Sequence, residues 1–300
     1  MPFFKSGYGI HIMAVVLDGK ALAALRKDGL RQQVAAWGHG VGLAVIQVGD
    51  NPASAVYVNH KIKACADVGM QSFKHHLPAD GAQADIIALI QSLNHDPHVH
   101  GILVQLPLPA ALDTDAVLAA IEPAKDVDGL HIQNAGRVFL GDTGGLVPCT
   151  PLGCMMLMDH YLADVPLRGK HAVVLGRSRL VGRPVASLLL QRDCTVTMAH
   201  SATQNLPALV GSADILVAAI GQPHFVPLSW IKAGAIVLDV GINRTDQGTL
   251  VGDVDLRGDT SSLCAYTPVP GGVGPMTVTC LLLNTFKAAV AQHNPKTAPA

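Results

Sequence analysis

Short runs of β-branched residues alternate with amphipathic helical patterns along most of this 300-residue chain. Such alternation is typical of parallel strands joined by crossover helices, and it predicts an α/β fold. The series is interrupted by a loop after residue 121 and begins again at Pro148, so we place a boundary between two α/β domains near residue 148. Strands are predicted at residues 41–48, 73–77, 101–106, 171–175, 195–199, 215–220 and 235–240, and helices at 22–37, 54–68, 84–94, 113–121, 151–161, 184–191 and 278–288.

The composition favours a globular chain that binds small molecules. Hydrophobic residues make up 49% of the sequence, which is ample for packed cores. The 21 basic side chains are balanced by 22 acidic ones, so no surface for nucleic acid or an anionic membrane is expected. No uncharged apolar run reaches the roughly 18 residues that a membrane span requires. Six cysteines without a Cys-x-x-Cys pair fit a reducing compartment.

The N-terminal residues faintly resemble a signal peptide, but we favour a different interpretation. An amphipathic helix runs straight through the expected cleavage region, with apolar positions at Leu22, Leu25, Leu30, Val34 and Trp37. We therefore expect residues 1–12 to be a loose extension, with Met13 an equally good start. Residues 294–300 form a low-complexity tail.

Tyr57 and Lys61 lie four residues apart in a stretch that we predict to be helical. This spacing puts a phenol and an amine on one helix face, where both can address the same bound molecule. Ser54 is the expected N-cap, and Gly69 is the expected stop. The alternative is that Tyr57 is half-buried and Lys61 solvated. Short-chain dehydrogenases use the same spacing, but their nucleotide loop precedes the pair, whereas here the candidate loop follows it.

That candidate nucleotide loop, residues 176–184, joins a predicted buried strand to a helix. Free backbone amides at such a helix start can face a phosphate. The loop departs from the usual glycine pattern, because Ser178 takes the third place and Gly182 comes one place late, so a turn without a ligand is the alternative. The strand at 195–199 is not followed by an acid, and Arg177 is near, so we predict NADP rather than NAD.

Residues 266–277 are too rich in glycine and proline to be the interior of a strand or helix. We expect a shaped loop whose glycines let the backbone lie flat against a planar ring, and the alternative is a plain connection. Histidines cluster at His95, His98 and His100, but none has the His-x-x-x-His spacing of a helical metal site. We therefore predict no metal.

Six segments, in order, resemble the bifunctional methylenetetrahydrofolate dehydrogenase/methenyltetrahydrofolate cyclohydrolase family of folate one-carbon metabolism. The resemblance runs from about residue 17 to 288 and is carried by residues 57–64, 101–109, 125–129, 148–151, 176–178 and 268–277. It implies a folate substrate, NADP as the cofactor, and both dehydrogenase and cyclohydrolase activity. It also implies a cytoplasmic homodimer that serves purine biosynthesis.

The resemblance assigns roles to individual residues. Lys61 would be the central catalytic group, positioned by Gln105, while Tyr57 would pack on the folate ring and Asp128 would grip the pterin. The implied cofactor-binding residues are Gly176, Arg177, Ser178, Ser201 and Ile242. Further implied substrate-binding residues are Val58, Leu106, Pro107, Pro270, Gly271, Gly272 and Gly274.

The implied architecture has an N-terminal catalytic domain and a Rossmann-like NADP-binding domain. Residues 1–148 would form the first and residues 149–276 the second, with residues 277–300 returning to the first. Two alternatives stay open. One is a two-domain dehydrogenase of another small substrate, such as an amino or shikimate-type acid, and the other is a nucleotide-binding protein without catalysis.

Overall fold

The structure is a computed structural model that describes residues 13–293. The predictions for residues 1–12 and 294–300 lie outside the described residues. The first half contains strands β1 (Val15–Val16), β2 (Gly42–Val48), β3 (Gln71–Leu77) and β4 (Gly101–Val104), and helices α1 (Gly19–Trp37), α2 (Pro52–Asp67), α3 (Gln83–His95), α4 (Thr114–Ala119) and α5 (Ile132–Leu140).

Strand β2 is the centre of a three-stranded parallel sheet with the order β3–β2–β4. All seven of its residues are buried, as expected for a strand covered by helices on both faces. Leu43 and Val45 belong to the core shared with α1, α2 and the C-terminal helix, whereas Ala44 and Ile46 pack with α3. Alternate side chains of β2 therefore point into two different cores, so the sheet has a layer of helices on each face.

The second half forms most of a six-stranded parallel sheet. Its elements are α6 (Cys149–Tyr161), β5 (His171–Leu175), α7 (Gly182–Leu190), β6 (Thr195–Ala199), α8 (Leu206–Gly211), β7 (Ile215–Ala218), β8 (Val226–Pro227), β9 (Ile236–Asp239), β10 (Asn243–Arg244), β11 (Leu250–Val251), β12 (Val254–Asp255), β13 (Ala265–Tyr266) and α9 (Val273–His293). The order β1–β13–β9–β7–β5–β6 puts β6 and β7 on opposite sides of β5. Open α/β sheets bind ligands at such a switch point, beyond the carboxyl ends of the strands.

The two ends of the described chain cross between the sheets. Strand β1 pairs with β13 at the edge of the second sheet, although α1 follows it directly into the first half. Helix α9 packs against α6, α1 and α2 and reaches strands β2 and β4, which confirms the predicted return to the first domain. By length and composition alone, α9 among the described helices could cross a membrane, but ten of its residues are buried within the protein.

Several predicted boundaries were wrong. Helix α2 begins at Pro52 instead of Ser54, because the Asn51 carboxamide accepts the Ser54 amide at 3.1 Å and Pro is tolerated in a first turn. Helix α9 begins at Val273, so the end of the predicted loop is helical, again because the first turn tolerates Pro275. Leu25 is 57% exposed, since the buried face of α1 follows Leu22, Leu30 and Val34.

Candidate active site

Lys61 and Gln105 meet where α2 lies above the carboxyl end of β4. The Lys61 Nζ donates to Gln105 Oε1 at 3.0 Å. The backbone amide of Gln105 is bonded to Ile46 of the central strand, and its side-chain Nε2 donates to the Leu106 carbonyl at 2.7 Å. Because the NH₂ end is anchored in this way, the carboxamide oxygen is turned toward the amine. The structure thus joins two predicted site residues that are far apart in the chain.

Tyr57 lies one turn before Lys61 on α2, with 46% of its surface exposed. It borders a cleft of about 350 Å³ whose other walls come from the second half of the chain. Val58, by contrast, is fully buried in the core, so its side chain does not face the cleft. The predicted residues Ile242, Pro270, Gly271, Gly272 and Gly274 all line the cleft with Tyr57, as do His60 and Asp239.

The glycine and proline loop approaches neighbouring backbone too closely for side chains. A Cβ on Gly19, at the start of α1, would lie 1.7 Å from the Gly272 carbonyl oxygen. A Cβ on Gly272 itself would lie 2.6 Å from the Pro268 oxygen, and Gly271 has a φ of 109°. The peptide bonds before Pro107 and Pro270 are both cis. The loop is therefore a shaped cleft wall, as the composition predicted.

Asp128 lies half-buried in a loop that a neighbouring carboxylate shapes. The buried Asp126 side chain accepts the amides of Leu130 at 3.1 Å and His131 at 2.8 Å, and the Asn134 Nδ2 at 2.8 Å. Burial raises the pKa of Asp126, while these hydrogen bonds lower it. Lys125 is also structural, because its Nζ donates to the Leu93 and Asp96 carbonyls at the end of α3.

Cys149, at the start of α6, lies near both Asp128 and Lys61. Its thiol donates to the Val127 carbonyl at 3.3 Å. Burial raises the pKa of this thiol, the nearby Asp128 raises it further, and Lys61 opposes the shift. The sequence analysis had not given Cys149 a role in the site, because nothing in its local pattern indicates these contacts.

A second cleft, of about 580 Å³, opens beyond β5, β6 and β7 at the switch point of the sheet. Gly176 has a φ of 109°, and a Cβ there would lie 2.2 Å from the Ala219 oxygen. A Cβ on Gly182 would lie 2.2 Å from the Gly176 oxygen, which explains why the late glycine is needed. The predicted cofactor residues Gly176, Arg177, Ser178 and Ser201 all line this cleft, and none of its lining residues is acidic.

The Ser178 hydroxyl stabilises the loop at the position where the usual pattern has its second glycine. It accepts the amides of Val181 at 3.1 Å and Gly182 at 3.4 Å, and so closes the loop before α7. The opposite wall carries Phe225 and Trp230, whose rings meet edge to face at 6.2 Å. The sequence analysis missed these aromatic residues. Their only sequence signal is that aromatic residues are rare here, at 4% of the chain.

Two buried carboxylates connect the loops of the two clefts. Asp253 is fully buried and accepts the amides of Ile220, Gly221 and Gln222 and the Nδ2 of Asn243, at 2.7 to 3.0 Å. Asp239 accepts the amides of Gly241, Asp253 and Val254 at 2.9 to 3.0 Å. Burial raises the pKa of Asp239 to about 6. Sequence analysis missed this network because nearly all of its donors are backbone amides.

The clustered histidines have other contacts. His100 Nδ1 accepts the Gly42 amide at 3.0 Å, and the His95 ring contacts the Gln91 carbonyl within α3. Within residues 13–293, no group of three or more His, Cys, Asp or Glu side chains is arranged to hold a metal ion.

Comparison with known families matches both halves of the chain. The catalytic-domain model of the tetrahydrofolate dehydrogenase/cyclohydrolase family matches residues 17–128. The NAD(P)-binding-domain model of that family matches residues 148–293. The clefts described above lie within and between these matched ranges.

Similar proteins cover nearly the whole chain. The bifunctional protein FolD of Zymomonas mobilis is 51% identical over 290 residues, covering 92% of this chain and 97% of that protein. The bifunctional protein FolD 1/3 of Ruegeria pomeroyi is 55% identical over 283 residues, covering 92% of this chain and 94% of that protein.

Solved structures are similarly close. The bifunctional enzyme FolD, a methylenetetrahydrofolate dehydrogenase/cyclohydrolase from Campylobacter jejuni, superposes with a TM-score of 0.90 at 46% identity, covering 93% of this chain and 99% of that chain. FolD from Trypanosoma brucei, complexed with NADP and an inhibitor, gives a TM-score of 0.88 at 39% identity, covering 93% and 98%.

Proposed function

Because the chain belongs to the tetrahydrofolate dehydrogenase/cyclohydrolase family, we propose that it catalyses both family reactions at the cleft beside Tyr57 and Lys61. In the first reaction, 5,10-methylenetetrahydrofolate is oxidised to 5,10-methenyltetrahydrofolate with NADP. In the second, the methenyl compound is hydrolysed to 10-formyltetrahydrofolate. The observation that carries this proposal is the 3.0 Å contact between Lys61 Nζ and Gln105 Oε1, one helical turn from Tyr57, which lines a cleft walled by both halves of the chain.

The first step depends on holding the folate in place. Tyr57 and the Pro270–Gly272 backbone line one cleft, which offers an aromatic ring and glycine backbone to the planar rings of the folate. NADP, when bound, accepts the hydride from the methylene carbon. The product is a methenyl cation stabilised by the two flanking nitrogens, so geometry supplies most of the rate enhancement.

The second step needs proton transfers. Water adds to the methenyl carbon and loses a proton, which gives a neutral hydroxyl adduct. The bond from that carbon to N5 then breaks as N5 gains a proton and the hydroxyl loses its proton, so that a formyl group remains on N10. The Lys61 amine is the group placed to move these protons, and Gln105 restricts where the amine points. Asp128 is half-buried, and its carboxylate can accept hydrogen bonds from the amino-pyrimidine edge of the pterin.

The cofactor is NADP, and the cleft at the switch point is the proposed place for its adenosine half. Arg177, Ser178 and Ser201 are exposed in that cleft and offer charge and hydroxyl groups to a ribose phosphate. An acid that would bind the ribose hydroxyls of NAD is missing from the lining residues, which supports a preference for NADP. Phe225 and Trp230 provide an apolar wall for a base.

The proposal is tested by mixing the protein with NADP and methylenetetrahydrofolate and following the absorbance of the reduced cofactor and of the methenyl compound. Purified methenyltetrahydrofolate is then added alone, to measure its hydrolysis. We expect both signals. A folded protein that turns over neither folate would contradict the proposal. Turnover of an amino or shikimate-type acid instead would support the alternative dehydrogenase.

We also propose that the chain forms a homodimer through an apolar face on α5, α7 and β6. Phe139 and Leu140 at the end of α5 are 75% and 80% exposed, and Leu190 at the end of α7 is 61% exposed. The ends of these helices are joined by the Gln191 Nε2, which donates to the Val138 carbonyl at 2.5 Å. Strand β6 beside them is an edge strand with free pairing groups. A second copy would cover this face, and an exposed apolar patch favours such an interface.

The place of the reaction in the cell is proposed on chemical grounds. Balanced charge and six free cysteines support a cytoplasmic enzyme that does not bind nucleic acid or membranes. Its product carries a formyl group on a reduced folate, which is the form of one-carbon unit that purine biosynthesis consumes. Fractionation of cells that produce the chain would test the compartment.

A further inference from the structure

Among the buried polar residues of α9, Asn284 is the one whose side chain makes its hydrogen bonds outside the helix. It is 4% exposed among apolar neighbours. The buried hydroxyls of Thr279 and Thr285 donate to carbonyls of their own helix, at Pro275 and Leu281. Burying a primary amide is costly unless its donors are satisfied, so the partners of Asn284 indicate what the residue does.

Those partners lie on two loop segments at the folate site. The Asn284 Nδ2 donates to the Val127 carbonyl at 2.9 Å and to the Val147 carbonyl at 2.8 Å. It also lies 3.7 Å from the Cys149 Sγ. Both amide hydrogens therefore have a carbonyl partner, and one amide group bridges two segments that are distant in the sequence.

The two bridged segments are in close contact beside Asp128. Val127 directly precedes Asp128, and Val147 precedes Pro148 and Cys149. A Cβ on Gly129 would lie 2.5 Å from the Pro148 nitrogen, so the segments touch with no space for a side chain. The Cys149 thiol donates to the Val127 carbonyl at 3.3 Å and so also joins the two segments. Backbone movement at Val127 would therefore redirect the Asp128 carboxylate.

We propose that Asn284 is a positioning residue for the folate site, through which the C-terminal helix fixes the segment that carries Asp128. This inference rests on the role proposed above for Asp128. Replacing the amide removes the side-chain donor of the Val147 carbonyl and leaves the Val127 carbonyl with the weak Cys149 thiol as its donor, so the segment relaxes to find other partners. A displacement of about 1 Å at a binding group is enough to cost up to a hundredfold in rate or affinity.

The test compares Asn284→Ala with Thr285→Val. Thr285 is fully buried on the same helix, and its hydroxyl bonds only within that helix, so its variant controls for disturbing α9. We expect Asn284→Ala to raise the KM for methylenetetrahydrofolate about ten- to a hundredfold, with a smaller change in kcat. The Kd for NADP should stay within about twofold, because the cofactor loop has no contact with Asn284. Thr285→Val should change none of these constants.

A double-mutant cycle with Asp128→Ala separates positioning from a general structural effect. If Asn284 acts through Asp128, then Asn284→Ala should add little to the KM once Asp128 is already alanine. An equal rise in KM in both backgrounds would overturn the inference, and so would a parallel loss of NADP affinity. If Asn284→Ala does not fold, Asn284→Ser, which is small enough to let water reach the two carbonyls, carries the same expectations.

The cycle also distinguishes this inference from the proposed function. If Asp128→Ala raises the KM and Asn284→Ala does not, only the inference is wrong. If Asp128→Ala leaves the folate KM unchanged, the proposed role of Asp128 is wrong and the inference fails with it.

Discussion

At the residue scale, Lys61 is the group whose removal should separate chemistry from binding. We expect Lys61→Ala to lower cyclohydrolase activity at least about a hundredfold, because positioned proton transfer contributes about that much. NADP affinity and thermal stability should be unchanged. Lys63→Ala is the matched control, since Lys63 is exposed two positions further along α2 on another face. Hydrolysis of methenyltetrahydrofolate by Lys61→Ala at the wild-type rate would refute the role.

Arg177 carries the second prediction at this scale. Arg177→Ala should weaken NADP binding about ten- to a hundredfold, since a charge-assisted hydrogen bond to phosphate contributes about 1.5 to 3 kcal/mol. NAD affinity should hardly change, because NAD has no phosphate at that position. Arg179→Ala in the same loop is the control, as Arg179 forms an ion pair with Asp115. Equal losses for both cofactors would show that Arg177 only supports the loop.

Without the family resemblance, sequence analysis predicts residues of this site only where local spacing or loop composition carries the signal. The four-residue spacing of Tyr57 and Lys61 was visible because one helix presents both. Cys149 and Asn284 were missed because their contacts join segments that the fold alone brings together. The same holds for Asp253, whose four donors are three backbone amides and one asparagine.

At the element scale, the prediction from the sequence was good for strands of five or more residues and poor for shorter elements. Strands β5 and β6 match their predicted bounds, since each is a run of five residues that contains β-branched side chains and is followed by a glycine or a polar residue. Strand β1 has only two residues, too few to show a period, and it forms because β13 offers a free edge. Helix α5 was not predicted, although its start is capped by the His131 side chain.

The loops at the ends of β7 and β9 should respond to pH through Asp239. Burial raises its pKa from 3.8 to about 6, so the folded protein holds this proton more tightly than the unfolded chain does. The resulting contribution to stability is fully present below about pH 4 and is lost as the pH rises to about 6, a change of about 3 kcal/mol. The Asp239→Asn variant has no titratable group at this position, so its stability lacks this dependence on pH. Denaturant unfolding at several pH values should therefore show the stability of the wild type relative to Asp239→Asn falling between pH 4 and 6.5, and a constant difference would contradict the assignment.

At the scale of the whole molecule, the dimer proposal predicts the effect of charge on the α5 face. Phe139→Asp should convert the dimer to a monomer, because burying an unpaired carboxylate in the interface costs free energy. Size-exclusion chromatography with light scattering measures the change. Phe139 is 75% exposed in the single chain, so the fold of the monomer should be retained. Leu25→Asp on α1, at a residue 57% exposed elsewhere on the surface, is the control. A monomeric wild type would contradict the dimer.

Strand β1 belongs to the sheet of the second half, and helix α9 covers the core of the first half. This exchange limits how the gene can be recombined. A break at residue 148 would give one fragment that holds an edge strand of the other fragment's sheet, while that other fragment would keep the helix that covers the first core. Neither fragment could fold on its own with all of its native contacts. Exchanging one half for that of a relative, as modular domains allow, would require recombination at three points instead of one, so this chain should be inherited and engineered as a single unit.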